Sequence, residues 1–103
     1  MAEVAGHTDR ETLIRSMSEL VAGMAKALVD SPEGVSVKVE TDGDSTVLVL
    51  RVAASDLGKV IGKQGRTARS MRTILGAASM KAHHRFALDI QQVDQLEPPT
   101  SEK

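Results

Sequence analysis

The chain has 103 residues, with 13 Lys and Arg against 14 Asp and Glu, no Cys, Trp or Tyr, and a single Phe. Without thiols there are no disulfides and no cysteine chemistry, one aromatic ring cannot build a stacking platform for bases, and the length suits one domain with a modest core. The net charge of −1 conceals a division: Leu57 to Leu88 holds seven basic residues and no acid, while the remainder holds six basic and fourteen acidic residues, an asymmetry expected where one surface meets phosphates.

The first ten residues lack an apolar stretch, and no run approaches the ~20 apolar residues of a membrane span, so a cytoplasmic protein without membrane insertion is expected. Residues 1–8 read as a flexible extension, 9–92 as the folded domain and 93–103, with Pro98-Pro99, as a disordered polar tail.

Thr8 with Glu11 forms a capping-box pattern ahead of Leu13, Ile14, Met17, Leu20, Val21, Met24 and Leu28, whose spacing by threes and fours predicts an amphipathic helix ending near Asp30. Ser31-Pro32 and Gly34 stop it. Val35, Val37 and Val39 alternate with Ser36, Lys38 and Glu40, the period of a strand with one buried face. Thr41 to Ser45 supplies turn residues, and the run Thr46 to Val52 suits a central, largely buried partner strand. A hairpin is expected.

Ser55 can cap a short helix from Asp56 to about Ile61, and a second helix follows Gly65 to about Ser79. On that helix Ala68, Met71, Ile74, Leu75 and Ala78 share one side, while Arg66, Arg69 and Arg72 share the other. Phe86, Leu88 and Ile90 alternate as a last strand.

Gly62 and Gly65 lie between the two helices with Lys63 and Gln64 inside them. Lacking Cβ, glycines allow positive φ and close approach of a polyanion backbone. The next helix turns its positive N-terminus and unsatisfied amides to the same place, and Lys63 and Arg66 add formal charge. Val60 and Ile61 offer an apolar floor for unstacked bases.

The string Asp56 to Thr67, with Ile61-Gly62-Lys63-Gln64-Gly65 at its centre, and Met71-Arg72-Thr73-Ile74-Leu75 resemble the KH domains of RNA-binding proteins. Because helix and hairpin precede the loop and one strand follows, the order is that of the type II arrangement. From about Glu11 to Ile90 the chain is most similar to the small single-domain bacterial KH proteins of the KhpA (YlqC) family. The resemblance implies an α+β fold, a single type II KH domain of order α-β-β-α-GxxG-α-β, with three helices on one side of a three-stranded sheet. It also implies a loop that clamps about four nucleotides of single-stranded RNA. The RNA site so expected comprises Gly58, Lys59, Val60, Ile61, Gly62, Lys63, Gln64, Gly65, Arg66 and Arg69. Family resemblance further implies an RNA chaperone or regulator. It adds a homodimer or a heterodimer with KhpB (Jag/EloR), and a link to cell shape and peptidoglycan homeostasis. Single-stranded DNA stays open as an alternative ligand.

Other motifs have plainer explanations. Gly58 to Lys63 resembles a P-loop, but the spacing to Lys is one short and Gln64 stands where Ser or Thr would hold magnesium. Adjacent His83 and His84 point to opposite faces of a strand, which suits a polar strand entry better than a metal. Asp42-Gly43-Asp44 starts like a calcium loop without its glutamate, and a hairpin turn accounts for it. No nucleophile with a base and no carboxylate pair assembles, so neither an enzyme nor a cofactor is expected. The competing reading is a protein-interaction adaptor, with the KH fold as a dimerisation scaffold and Met71, Ile74 and Leu75 meeting the partner.

Overall fold

The computed structural model describes residues 6–93, with side chains from Arg10 onward. The first five residues of the expected extension and the tail from residue 94 lie outside the described residues. Helix α1 spans Gly6–Leu28. It starts two residues ahead of the expected Thr8 cap, so that Thr8 falls inside the first turn. Val21 and Ala25 on α1 are fully buried, with Leu13, Ile14, Met17 and Met24 packed around them. A 3₁₀ turn over Pro32–Gly34 then leads into the sheet.

Strands β1 (Ser36–Asp42) and β2 (Ser45–Ala53) pair antiparallel, with Val37 opposite Leu50 and Val39 opposite Leu48. Gly43, at φ 63°, and Asp44 make the two-residue connection. Val35 and Val37 pack on the core, but Val39 is 40 % exposed. The expected three-valine face is therefore incomplete at its Val39 end.

Helices α2 (Leu57–Ile61) and α3 (Arg66–Ala82) return the chain to the start of β2, so β3 (Arg85–Val93) runs parallel to it. The sheet order is β1-β2-β3. The core joins Leu48, Leu50 and Val52 of β2 to Val60, Met71 and Leu75 of the helices and to Phe86 and Leu88 of β3. This is the three-helix, three-stranded α+β arrangement expected of a KH domain.

At the α3–β3 corner, His83 takes the left-handed conformation (φ 55°) that ends the helix. His84 is not part of a polar surface entry: it is 3 % exposed, lies edge-on to Phe86 and bonds through Nε2 to Thr46 Oγ1 at 2.6 Å.

Candidate nucleic-acid interface

The loop between α2 and α3 is built from positive backbone angles: Gly62 at φ 81°, Gln64 at φ 58° and Gly65 at φ 76°. Left-handed geometry costs a residue with Cβ roughly 1–2 kcal/mol, so Gln64 stores strain of the kind found at functional sites. The amide of Gly62 donates to Gly58 O at 2.9 Å and that of Gly65 to Gly62 O at 3.0 Å. The amides of Lys63 and Gln64 lie between these two bonds. They precede the N-terminus of α3, where backbone donors and the helix dipole favour an anion.

The two glycines serve different ends. A Cβ on Gly62 would lie 2.7 Å from Thr67 Cβ and 2.8 Å from Thr67 N, so the loop folds back on α3 too closely for any side chain there. A Cβ on Gly65 or on Gly58 would meet no atom within 4 Å. Space stands open above both, as a polymer backbone requires.

Lys63, Arg66 and Arg69 are exposed on the outer side of the loop and α3. Arg66 reaches Gln64 Oε1 at 3.3 Å and Arg69 reaches the Gln64 carbonyl at 3.5 Å, both weak contacts that a phosphate can displace. Lys59 is engaged elsewhere: its Nζ lies 3.4 Å from Asp30 and 3.6 Å from Asp56, which draws it back toward the end of α1.

Asp56 anchors this side of the loop. The expected Ser55 cap does not form. Ala54–Asp56 makes a 3₁₀ turn, and Asp56 occupies the N-cap position of α2 without capping it. Its carboxylate instead accepts the amides of Asp30 at 3.1 Å and Ser31 at 3.0 Å, tying the end of α1 to the start of α2. Only 1 % of the residue is exposed. Burial pushes its pKa up, but the two amides and Lys59 outweigh that and hold the carboxyl below its usual range.

Three sequence expectations change here. Val60 is fully buried, so it holds the loop on the core and cannot floor a groove; Ile61 beside it is half-buried. Met71 and Leu75, expected on a partner surface, are 2 % and 1 % exposed and belong to the core, because α3 rests them on the sheet. Ile74, expected with them on the core side, is 44 % exposed. It stands 100° round the helix from Leu75, at the rim of the apolar arc.

Spacing along the chain places Arg72 only on a basic helix face, yet its Nε and Nη2 donate to the Leu88 carbonyl of β3 at 3.3 and 3.1 Å. Contact across 16 residues leaves no trace in local spacing, so only the fold could single it out. A cavity of about 690 Å³ lies toward the other end of α3, among Leu13, Met17, Ala78, Lys81 and Phe86, and shares no residue with the loop.

A family profile described as KhpA/KhpB, KH domain, matches residues 18–90. The RNA-binding protein KhpA of Clostridium acetobutylicum is 46 % identical over 74 residues, 72 % of this chain and 99 % of that protein. The protein of the same description from Halalkalibacterium halodurans is 49 % identical over 74 residues, covering 72 % of this chain and 97 % of that protein. Among solved structures, Era of Aquifex aeolicus bound to GDP and tetrafluoroaluminate superposes with a TM-score of 0.53 at 16 % identity, over 79 % of this chain. Era in complex with MgGDPNP and nucleotides 1506–1542 of 16S ribosomal RNA does so with a TM-score of 0.51 at 16 % identity, over 74 % of this chain. The chain spans 32 % and 29 % of those two Era chains, and the likeness is one of fold.

Proposed function

The chain belongs to the KhpA/KhpB KH-domain family, and from that premise we propose that it binds single-stranded RNA through the loop Ile61-Gly62-Lys63-Gln64-Gly65. The observation that carries this reading is the loop's backbone. Positive φ at Gly62, Gln64 and Gly65 brings the loop's backbone to the start of a helix, and Lys63, Arg66 and Arg69 stand exposed around it. A nucleic-acid backbone laid over Gly58 and Gly65 meets cations and finds no protein atom within 4 Å of where a Cβ would stand at either glycine. Contacts of this type fix the strand's position without reading its bases.

In the cell such a module acts as an RNA chaperone or post-transcriptional regulator in the cytoplasm. Family membership extends the proposal to pairing with a second copy or with KhpB, and to a role in cell shape and peptidoglycan homeostasis. One loop holds about four nucleotides, and two loops joined in a dimer bind a longer RNA more tightly by avidity. The adaptor reading survives in a reduced form, supported by the exposure of Ile74 on α3. A protein that stays monomeric at high concentration removes that part.

Fluorescence anisotropy with a mixed-sequence single-stranded RNA tests the central claim. Wild type is expected to weaken with salt at a log-log slope of about −0.7 per phosphate contact, or roughly −2 for three contacts. The Lys63→Asp, Gln64→Asp double variant, shown folded by circular dichroism, is expected to lose binding. Salt-independent affinity, or a folded double variant that binds as the parent does, overturns the reading.

A further inference from the structure

The glycine loop uses the first turn of α3. The other end of that helix, where it meets α1 and β3, borders the cavity of about 690 Å³. Sites for small organic ligands span roughly 300–1,000 Å³, so this one has the right size. Its walls divide by chemistry. Leu13 and Met17 of α1, Ala78 and Ala82 of α3 and Phe86 of β3 make an apolar floor. Arg10 and Lys81, both exposed, bring one cation from each helix, and the described lining contains no acidic residue. Arg10 meets Asp44 at 3.7 Å, but both side chains are more than half exposed, and a pair so solvated yields to a better anion.

His84 supplies a second, independent observation. Its ring lines the same cavity and is 3 % exposed. Nε2 is committed to Thr46 Oγ1 at 2.6 Å, while Nδ1 is buried with no hydrogen-bond partner among the described residues. Folded proteins rarely leave a buried polar atom unpaired. A ligand lying in the cavity against this ring can provide the partner.

We propose that the cavity is a binding site for a small organic anion with an apolar body. The apolar part lies on Leu13, Met17 and Phe86, the acid group sits between Arg10 and Lys81, and a polar atom of the ligand bonds His84 Nδ1. Two sources share this chemistry: an acyl chain ending in a carboxylate, and an aromatic ring bearing an acid group. A bare inorganic anion leaves the apolar floor wet, and an uncharged hydrocarbon leaves two cations without a counter-charge. The site shares no residue with the glycine loop, so it stands whether or not the loop binds RNA.

NMR of the isotope-labelled full chain, titrated separately with decanoate and with naphthalene-1-sulfonate, tests both sources, and naphthalene-1-methanol is the uncharged control. Saturable shifts are expected at Ala78, Ala82 and Phe86 and at the ring nitrogens of His84, with a Kd of about 1 mM or tighter for at least one acid. The alcohol is expected to bind about fivefold more weakly than the sulfonate. Lys81→Glu, at an exposed position, is expected to weaken the acid by about fivefold, while the same reversal at Lys26, in the last turn of α1, leaves the Kd as it was. Ala82→Leu narrows the cavity and is expected to abolish binding; Ala78→Leu serves if that variant does not fold. Binding of decanoate alone assigns the site to acyl chains, of the sulfonate alone to aromatic acids, and of both to the shared chemistry. Shifts that fail to saturate by about 10 mM, that map away from the cavity or that leave the His84 ring unmoved overturn the proposal. So do an alcohol that binds as well as the acids and a Kd that Lys81→Glu does not change. The cavity is then only a gap between α1 and α3.

Discussion

Gly62, Gly65 and Gly58 are alike in sequence and unlike in physical demand. Gly62 has both a left-handed φ of 81° and the Thr67 backbone where a methyl would go. Gly62→Ala is therefore expected to destabilise by at least ~2 kcal/mol. Gly65 has the φ of 76° but open space, so Gly65→Ala costs about 1 kcal/mol. Gly58 sits inside α2 with neither constraint, and Gly58→Ala leaves stability unchanged or raises it by up to ~1 kcal/mol. Urea unfolding of the three variants should reproduce that order; equal costs would refute the separation. Asp56 makes a second prediction at this scale. Its carboxyl titrates below the ordinary value of 3.8 when folded. The stability it lends is present above that value and is lost as pH falls through the folded one. Asp56→Asn should melt earlier at neutral pH and show a flatter loss of stability below about pH 4 than the parent. A variant whose acid profile matches the parent's would show that the carboxylate does not hold α1 to α2 by charge.

Helix α3 joins the two surfaces. Leu75 and Ile74 are neighbours in sequence, one 1 % and the other 44 % exposed. Leu75→Ala should cost about 3 kcal/mol through the cavity it leaves. Ile74→Asp, at a solvent-facing site, should change monomer stability by less than ~1 kcal/mol. If the exposed face of α3 joins two copies, that second variant should shift light-scattering mass from dimer toward monomer; an unchanged dimer places the interface elsewhere. The sequence periodicity grouped Met71, Ile74 and Leu75 because a helical arc locates a face without marking its rim. Strand β1 shows the same limit, since alternation named Val39 with Val35 and Val37 but could not say where along the strand the covering layer stops.

Across the whole molecule, charge is segregated: seven cations and no acid from Leu57 to Leu88, against an acidic remainder. The fold keeps Lys63, Arg66 and Arg69 outward and withdraws Lys59 and Arg72 to protein partners. Arg66→Ala and Arg69→Ala should each weaken binding to all single strands alike and reduce the magnitude of the salt slope by about 0.7, with little change in melting temperature. A slope that Arg66→Ala and Arg69→Ala leave intact, with Lys59→Ala reducing it instead, would mean that Lys59 leaves its aspartates to bind and that the geometry of the free protein misleads.

Local chemistry in the chain was enough to place the helices, the hairpin, the last strand and the glycine loop. Periodicity, turn residues and the Ile-Gly-x-x-Gly string act over a few residues and need no distant partner. Contacts between distant segments decided the rest. They set the parallel course of β3 beside β2, the capture of Asp56 by the end of α1, the burial of Val60 beneath the loop and the anchoring of Arg72 on Leu88. Each of these depends on which backbone groups and surfaces meet once the helices fold back on the sheet, and no spacing along the chain encodes that meeting.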